Sequence, residues 1–164
     1  MIVLGIDPGL AIMGWGVVES ERGRQRLINY GCILTTPDQT FPDRLKQIGE
    51  DMRQILQTYK PDEIAFEELF FAKNVTTALT VGAARGVAIA ACADYTDQLY
   101  EYTPMQVKQA IVGYGKAEKQ QIQQMVKLLL HMETIAKPDD AADAIAIALT
   151  HAAAGPARVQ FRMK

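Results

Sequence analysis

Four carboxylates carry the pattern in this 164-residue chain that could do chemistry: Asp7, Glu67, Asp140 and Asp143. Asp7 ends the apolar run Ile2 to Ile6 and is followed at once by Pro8 and Gly9, which force the backbone out of extended geometry. An acid is thereby fixed at the carboxyl end of a buried strand, where open α/β sheets bind their ligands. Taken alone, Asp-Pro-Gly is also an ordinary turn. Glu67 ends a second short strand, EIAFE (Glu63 to Glu67). Asp140 and Asp143 are three apart and share one helical face near the start of PDDAADAIAIALTHAAAG, where Asp139 and Asp140 could equally cap the helix and complement its dipole. Asp143 is harder to read as a solvated acid. Its neighbours Ala141, Ala142, Ala144, Ile145, Ala146 and Ile147 make a helix apolar nearly all round, so a carboxylate there needs a cation or a proton. No Lys or Arg occurs between Pro138 and Ala157, and a metal ion is the expected partner.

Four carboxylates with no ligand His or Cys form a hard, oxygen-only donor set, suited to Mg²⁺ or Mn²⁺ and not to zinc. Such sites commonly hold two ions ~4 Å apart, one activating a water and one stabilising the leaving oxygen of a phosphodiester. Hydrolysis of nucleic acid is the implied chemistry. His131 and His151 fall at or near helix ends, where surface or capping roles are expected.

The elements that must position these acids follow from periodicity. Gly14 to Glu19 alternates as a strand paired back on the first, and Arg26 to Leu34 closes a three-stranded meander. Leu45, Ile48, Met52, Ile55, Leu56 and Tyr59 recur at helical spacing, which predicts an amphipathic helix over Pro42 to Tyr59, stopped by Pro61. A right-handed crossover through that helix lays Glu63 to Glu67 parallel to the first strand. A loop with Phe70, Phe71 and Lys73 leads into a long helix, Thr76 to Tyr95, with Gly82, Gly86 and Ala90 on one stripe. A strand at Leu99 to Tyr102 and helices at Pro104 to Val112 and Ala117 to Leu130 follow, the last with Ile122, Met125, Val126 and Leu129 inward. The order βββαβα, then β and further helices, is the plan of an α/β ribonuclease H-like fold: a five-stranded mixed sheet flanked by helices, with strands one and four adjacent. Asp7 and Glu67 would then share one crevice.

The length fits one domain, residues 1–164, ending in a short basic tail from about residue 156 with Arg158, Arg162 and Lys164. Cys32 and Cys92 have no CxxC spacing, which points away from disulfides and zinc and towards a reducing cytoplasm. A first strand beginning at Ile2 leaves no room for a signal peptide, and the apolar runs fall short of the ~20 residues a membrane span needs. The net charge of −2 argues against a polyanionic partner unless metal ions hold several of the acids, leaving the outer surface more basic than the sum implies.

Five stretches resemble the bacterial RuvC family of Holliday junction resolvases: GIDPG (Gly5 to Gly9), FEELFFAKN (Phe66 to Asn74), ARGVAIAA (Ala84 to Ala91), PMQVKQAIVGYGKAEK (Pro104 to Lys119) and DAADAIAIALTH (Asp140 to His151). They cover nearly the whole chain in the right order. The resemblance implies a homodimer that nicks two strands of like polarity across a four-way DNA junction, in recombination and repair, alongside the RuvA and RuvB branch-migration machinery. It assigns Asp7, Glu67, Asp140 and Asp143 as catalytic ligands of Mg²⁺, two per site, with Mn²⁺ as a substitute. Asp139 departs from the family pattern, and the Asp-x-x-Asp spacing selects Asp140. Lys108 and Lys119 match basic positions near the scissile phosphate, and Phe70 an aromatic that stacks on unpaired bases. Lys73, Arg85 and Lys116 are weaker candidates for phosphate contact.

Three other readings compete. A ribonuclease H-like enzyme acting on RNA shares the acids, but the match through Phe70 and Lys119 favours the junction enzyme. A phosphate-binding lobe of the actin and sugar-kinase type needs a second similar lobe, for which the chain has neither length nor a second Asp-x-Gly hairpin. A junction-binding module without catalysis would be expected to have lost a carboxylate.

Overall fold

The structure, a computed structural model, describes residues 1–69 and 74–164. Phe70, Phe71 and Lys73 lie outside the described residues. Three antiparallel strands open the chain, β1 (Ile2–Asp7), β2 (Ile12–Glu21) and β3 (Arg24–Leu34), the latter two longer at the hairpin end than alternation alone suggests. Helix α1 (Phe41–Tyr59) follows. Thr40 caps it by accepting from the Asp43 N–H, and Lys60 ends it in the left-handed conformation just before Pro61. It delivers the chain to β4 (Glu63–Glu67), which pairs parallel with β1 in the register Ile6 to Phe66. After α2 (Val75–Tyr95) comes β5 (Leu99–Tyr102), parallel to β4, giving the sheet order β3-β2-β1-β4-β5. Helices α3 (Pro104–Val112), α4 (Lys119–Leu129) and α5 (Asp139–Ala153) complete the chain, with a 3-10 segment at Gly155–Phe161.

Strand alternation divides the core between the two faces of the sheet. Leu4, Ile6, Ile64 and Phe66 point towards α1 and α2, where Ile48, Met52, Ala84 and Ala88 receive them. Val3, Ala65, Tyr100 and Tyr102 point towards α3, α4 and α5. Helix α5 lies closest, because glycines clear its path. A Cβ on Gly5 would fall 2.1 Å from the Ala144 carbonyl oxygen, and one on Gly14 would fall 1.9 Å from that of Asp140. The alanine-rich sequence of α5 therefore serves backbone-to-backbone approach, which sets its first turn over the ends of β1 and β2.

Two expectations are corrected at this level. Leu129 is not inward: it is 46% exposed, while Ile122 and Val126 carry the buried face of a short α4. Among the described residues one helix, Val75–Tyr95, is long and apolar enough by length and composition to cross a membrane, although Arg85 interrupts it. Only 28% of that window is buried, so much of its apolar face meets no other described part of this chain. The basic segment after α5 is folded back, with Arg158 on Glu63, Arg162 on Asp97, and the Met163 N–H on the Leu99 carbonyl at 2.9 Å.

Candidate active site

Parallel pairing of β1 with β4 puts Asp7 and Glu67 side by side at the carboxyl ends of adjacent strands, on the face that α5 covers. Strand spacing alone brings their backbones to ~4.8 Å. Their carboxyls lie within hydrogen-bonding reach, and Asp143 and Asp140 are close enough to act on Asp7 as like charges. Burial, then Glu67, Asp143 and Asp140, push the Asp7 carboxyl far above the usual carboxylate range. Burial also raises Asp143, to about 6, against the pull of Lys119 and with the push of Glu67 and Asp140. Three elements distant in sequence thus bring four acids to one place, and the cluster carries more negative charge than the metal-free protein can hold ionised.

The cation expected to meet Asp143 comes partly from the chain itself. Lys119 Nζ, at the start of α4, lies 3.5 Å from Asp143 Oδ2 and 3.2 Å from Asp139 Oδ2. Reading α5 by itself could not find this partner, because it arrives from a different helix. Partial burial works against the Lys119 charge, but the two acids more than offset it and hold the ammonium above its ordinary value. Asp143 is also less enclosed than its apolar neighbours suggest, with its side chain 34% exposed.

Asp139 turns away from the crevice. It takes Lys119 on one oxygen and the Gln123 side-chain amide on the other, at 3.0 Å. Asp140 instead acts on both Asp7 and the Cys32 thiol, so it faces the cluster. Asp139→Asn is accordingly expected to keep the parent's metal requirement for nicking, whereas Asp140→Asn raises it steeply. A Mg²⁺ titration of cleavage by both variants separates the two neighbours. A steep rise in Asp139→Asn would exchange their roles.

Beside the carboxylates is a crevice of about 220 Å³ lined by Glu67, Asp143, Lys108 and Lys119 over an apolar floor that includes Val107 and Ile122. Lys108 and Lys119 thus meet at the acids. Lys116 does not line this crevice and is exposed on the 113–118 connection. Arg85 is not a free phosphate contact: its guanidinium is turned inward onto Glu101 at 2.8 Å. Phe70 and Lys73 lie outside the described residues.

His151 is neither a surface nor a capping residue. It is fully buried between Tyr102 and Glu63, because the last turns of α5 run beneath β4 and β5. Sequence reasoning also missed Cys32 as a neighbour of the acids. The register Asp7 to Gly14 to Cys32 sets it in the same row, and no sequence signal announces that pairing.

An oxygen-only set of four acids fits hard divalent ions. Among the described residues, no three His, Cys, Asp or Glu side chains are drawn close enough together to hold a metal ion.

The family model described as crossover junction endodeoxyribonuclease RuvC matches residues 3–151. The proteins of that name from Brevibacillus brevis and Alkaliphilus metalliredigens are similar, the first 59% identical over 93% of this chain and 92% of its own length. The second is 51% identical over the full length of both. A solved structure of Thermus thermophilus RuvC in complex with Holliday junction substrate matches with a TM-score of 0.85 at 35% identity, covering 93% of each chain. With its ribonuclease H-like sheet, its acids at the ends of β1 and β4 and these relatives along its length, the chain belongs to the RuvC family of crossover junction endodeoxyribonucleases.

Proposed function

We propose that the protein resolves four-way DNA junctions by paired nicks in strands of like polarity. The observation that carries this reading is the convergence of Asp7, Glu67, Asp140 and Asp143 from β1, β4 and α5 beside Lys108 and Lys119. The four acids would hold two Mg²⁺ ions, with Mn²⁺ as a substitute. Bound there, the ions supply an activated water and neutralise charge on a phosphodiester. The chain's own part is to hold the acids on rigid elements and to aim two ammonium groups into the crevice. Lys119 has two acids within reach, so it can give up Asp143 and still be kept at the crevice mouth by Asp139. An ammonium kept there is ready to neutralise charge that develops on the phosphate.

Two cuts need two sites, and the near two-fold symmetry of a junction matches a C2 dimer. Helix α2 supports this pairing. Val75 and Leu79 are 69% and 68% exposed, and a Cβ on Gly86 would meet nothing within 4 Å, so Gly86 has no packing role among the described residues of one chain. Gly82 differs, facing the Leu69 side chain of its own chain. Phe70 would stack on unpaired bases at the junction, with Lys73 and Lys116 towards the backbone. Work alongside RuvA and RuvB in the cytoplasm completes the proposal.

The test offers the protein a four-way DNA junction, a linear duplex and RNA, each with and without Mg²⁺. Symmetric nicking confined to the junction and dependent on metal is expected. Preferential cutting of RNA would replace the reading with the ribonuclease alternative.

A further inference from the structure

The mechanism leaves unused a buried polar network at the opposite end of α5. His151 Nε2 lies 2.5 Å from Glu63 Oε2, and the Tyr102 hydroxyl lies 2.8 Å from His151 Nδ1. Arg158, from the 3-10 segment, reaches the two Glu63 oxygens at 2.9 and 3.2 Å and fixes its own turn by donating to the Gly155 carbonyl. Burial holds His151 below its ordinary pKa, so the neutral ring donates from Nε2 to the Glu63 carboxylate and accepts the tyrosine proton at Nδ1. Arg158 then balances the Glu63 charge. The rings of Tyr100 and Tyr102 flank the imidazole, with centroids at 4.4 and 5.8 Å.

The placement of this network relates it to the carboxylates. Glu63 and Glu67 lie on the same face of β4, four residues and ~13 Å apart along the strand. His151 and Asp143 are eight residues apart on α5, ~12 Å along the helix. The seam between α5 and β4 therefore has two polar rungs at matched spacing: Glu63 with His151 at one end, and Glu67 with Asp143 and Lys119 at the other. Between them β4 presents only the small side chain of Ala65, and beside it Ala144 and Ala148 of α5 close over Gly5 of β1. Tyr102 ties the lower rung to the site a second way, because it is paired in register with Glu67 and its carbonyl accepts the Glu68 N–H at 2.8 Å.

We infer that Tyr102, His151, Glu63 and Arg158 form a register clamp that positions Asp140 and Asp143 against Asp7 and Glu67, making the 3-10 segment after α5 a working part of the nuclease. All four are positioning residues. The inference rests on the four acids being the metal site.

The test reads metal binding without DNA or turnover. Mn²⁺ is titrated into the metal-free protein and the free ion followed by electron paramagnetic resonance. Arg158→Met leaves Glu63 unbalanced, and Tyr102→Phe keeps the ring but leaves His151 Nδ1 without its donor. Each is expected to weaken Mn²⁺ binding by about 3- to 10-fold, below the 10- to 100-fold typical when a group touching a ligand is removed. Arg158→Lys should recover most of the loss. Ile55→Val, on the far face of the sheet, is the control: its melting temperature falls while Mn²⁺ affinity stays at the parent value. Should Arg158→Met not fold, Tyr102→Phe decides. Unchanged Mn²⁺ affinity in the clamp variants, with only their melting temperatures lowered, overturns the clamp. Absence of Mn²⁺ binding in a folded parent would instead overturn the metal-site reading.

Discussion

Asp7→Asn is expected to cut a four-way junction at least about 10²-fold more slowly than the parent, the low end of what losing one preorganised electrostatic group costs. Junction affinity measured in EDTA should stay equal or rise. Both outcomes come from the same excess of charge. Asp7 is pressed by Glu67, Asp143 and Asp140, and two unit charges ~4 Å apart repel by about 4 kcal/mol at an effective dielectric of 20. Asparagine keeps the shape, removes a carboxyl that adds to the repulsion of its neighbours and of DNA phosphates whenever it ionises, and deletes a proposed metal ligand.

The same excess gives the metal-free parent a pH dependence with a definite sign. An unfolded aspartate loses its proton near pH ~4, whereas native Asp143 holds one to about 6 and native Asp7 to a higher pH still. The native state therefore binds more protons across that window, and stability falls as pH rises through it. Asp7→Asn should flatten the fall, and Mg²⁺ should remove much of it. Chemical denaturation at several pH values, with and without metal, measures both effects. Parent-like cutting by Asp7→Asn would return Asp-Pro-Gly to the role of an ordinary turn.

Gly86→Leu is expected to convert the proposed dimer to monomers and to abolish paired cutting while leaving each chain at least as well folded. Among the described residues of one chain a Cβ at position 86 meets nothing within 4 Å, so leucine has room. It also gains roughly 0.8 kcal/mol of helix propensity over glycine. Across a two-fold axis each leucine meets the partner helix. Overpacking costs about 1–3 kcal/mol per site, and two sites weaken association by at least ~30-fold. Sedimentation velocity and thermal unfolding read the opposed effects, and a junction closed in a supercoiled plasmid distinguishes paired from single nicks. A dimer that survives Gly86→Leu unchanged takes α2 out of the interface.

The sequence by itself determined the element order and where along it the four acids stand. Short apolar runs gave β1 and β4, the stretch before Pro104 gave β5, and helical periodicity with bounding prolines and glycines gave α1 and α3, all nearly to the residue. The spacing of Asp140 and Asp143 and the strand-end positions of Asp7 and Glu67 are local facts, legible without a fold. What only the tertiary structure decided are contacts made between elements. Lys119 reaches Asp143 from another helix, Arg85 turns in to Glu101, and His151 disappears beneath β4 and β5. An exposed lysine, a helix-end histidine and an arginine on an apolar helix carry no local mark of their partners, because hydrogen bonds and ion pairs between distant segments are set by packing geometry. The folded segment after α5 was hidden for the same reason: Arg158 and Arg162 read as a basic tail until Glu63 and Asp97 are seen to hold them.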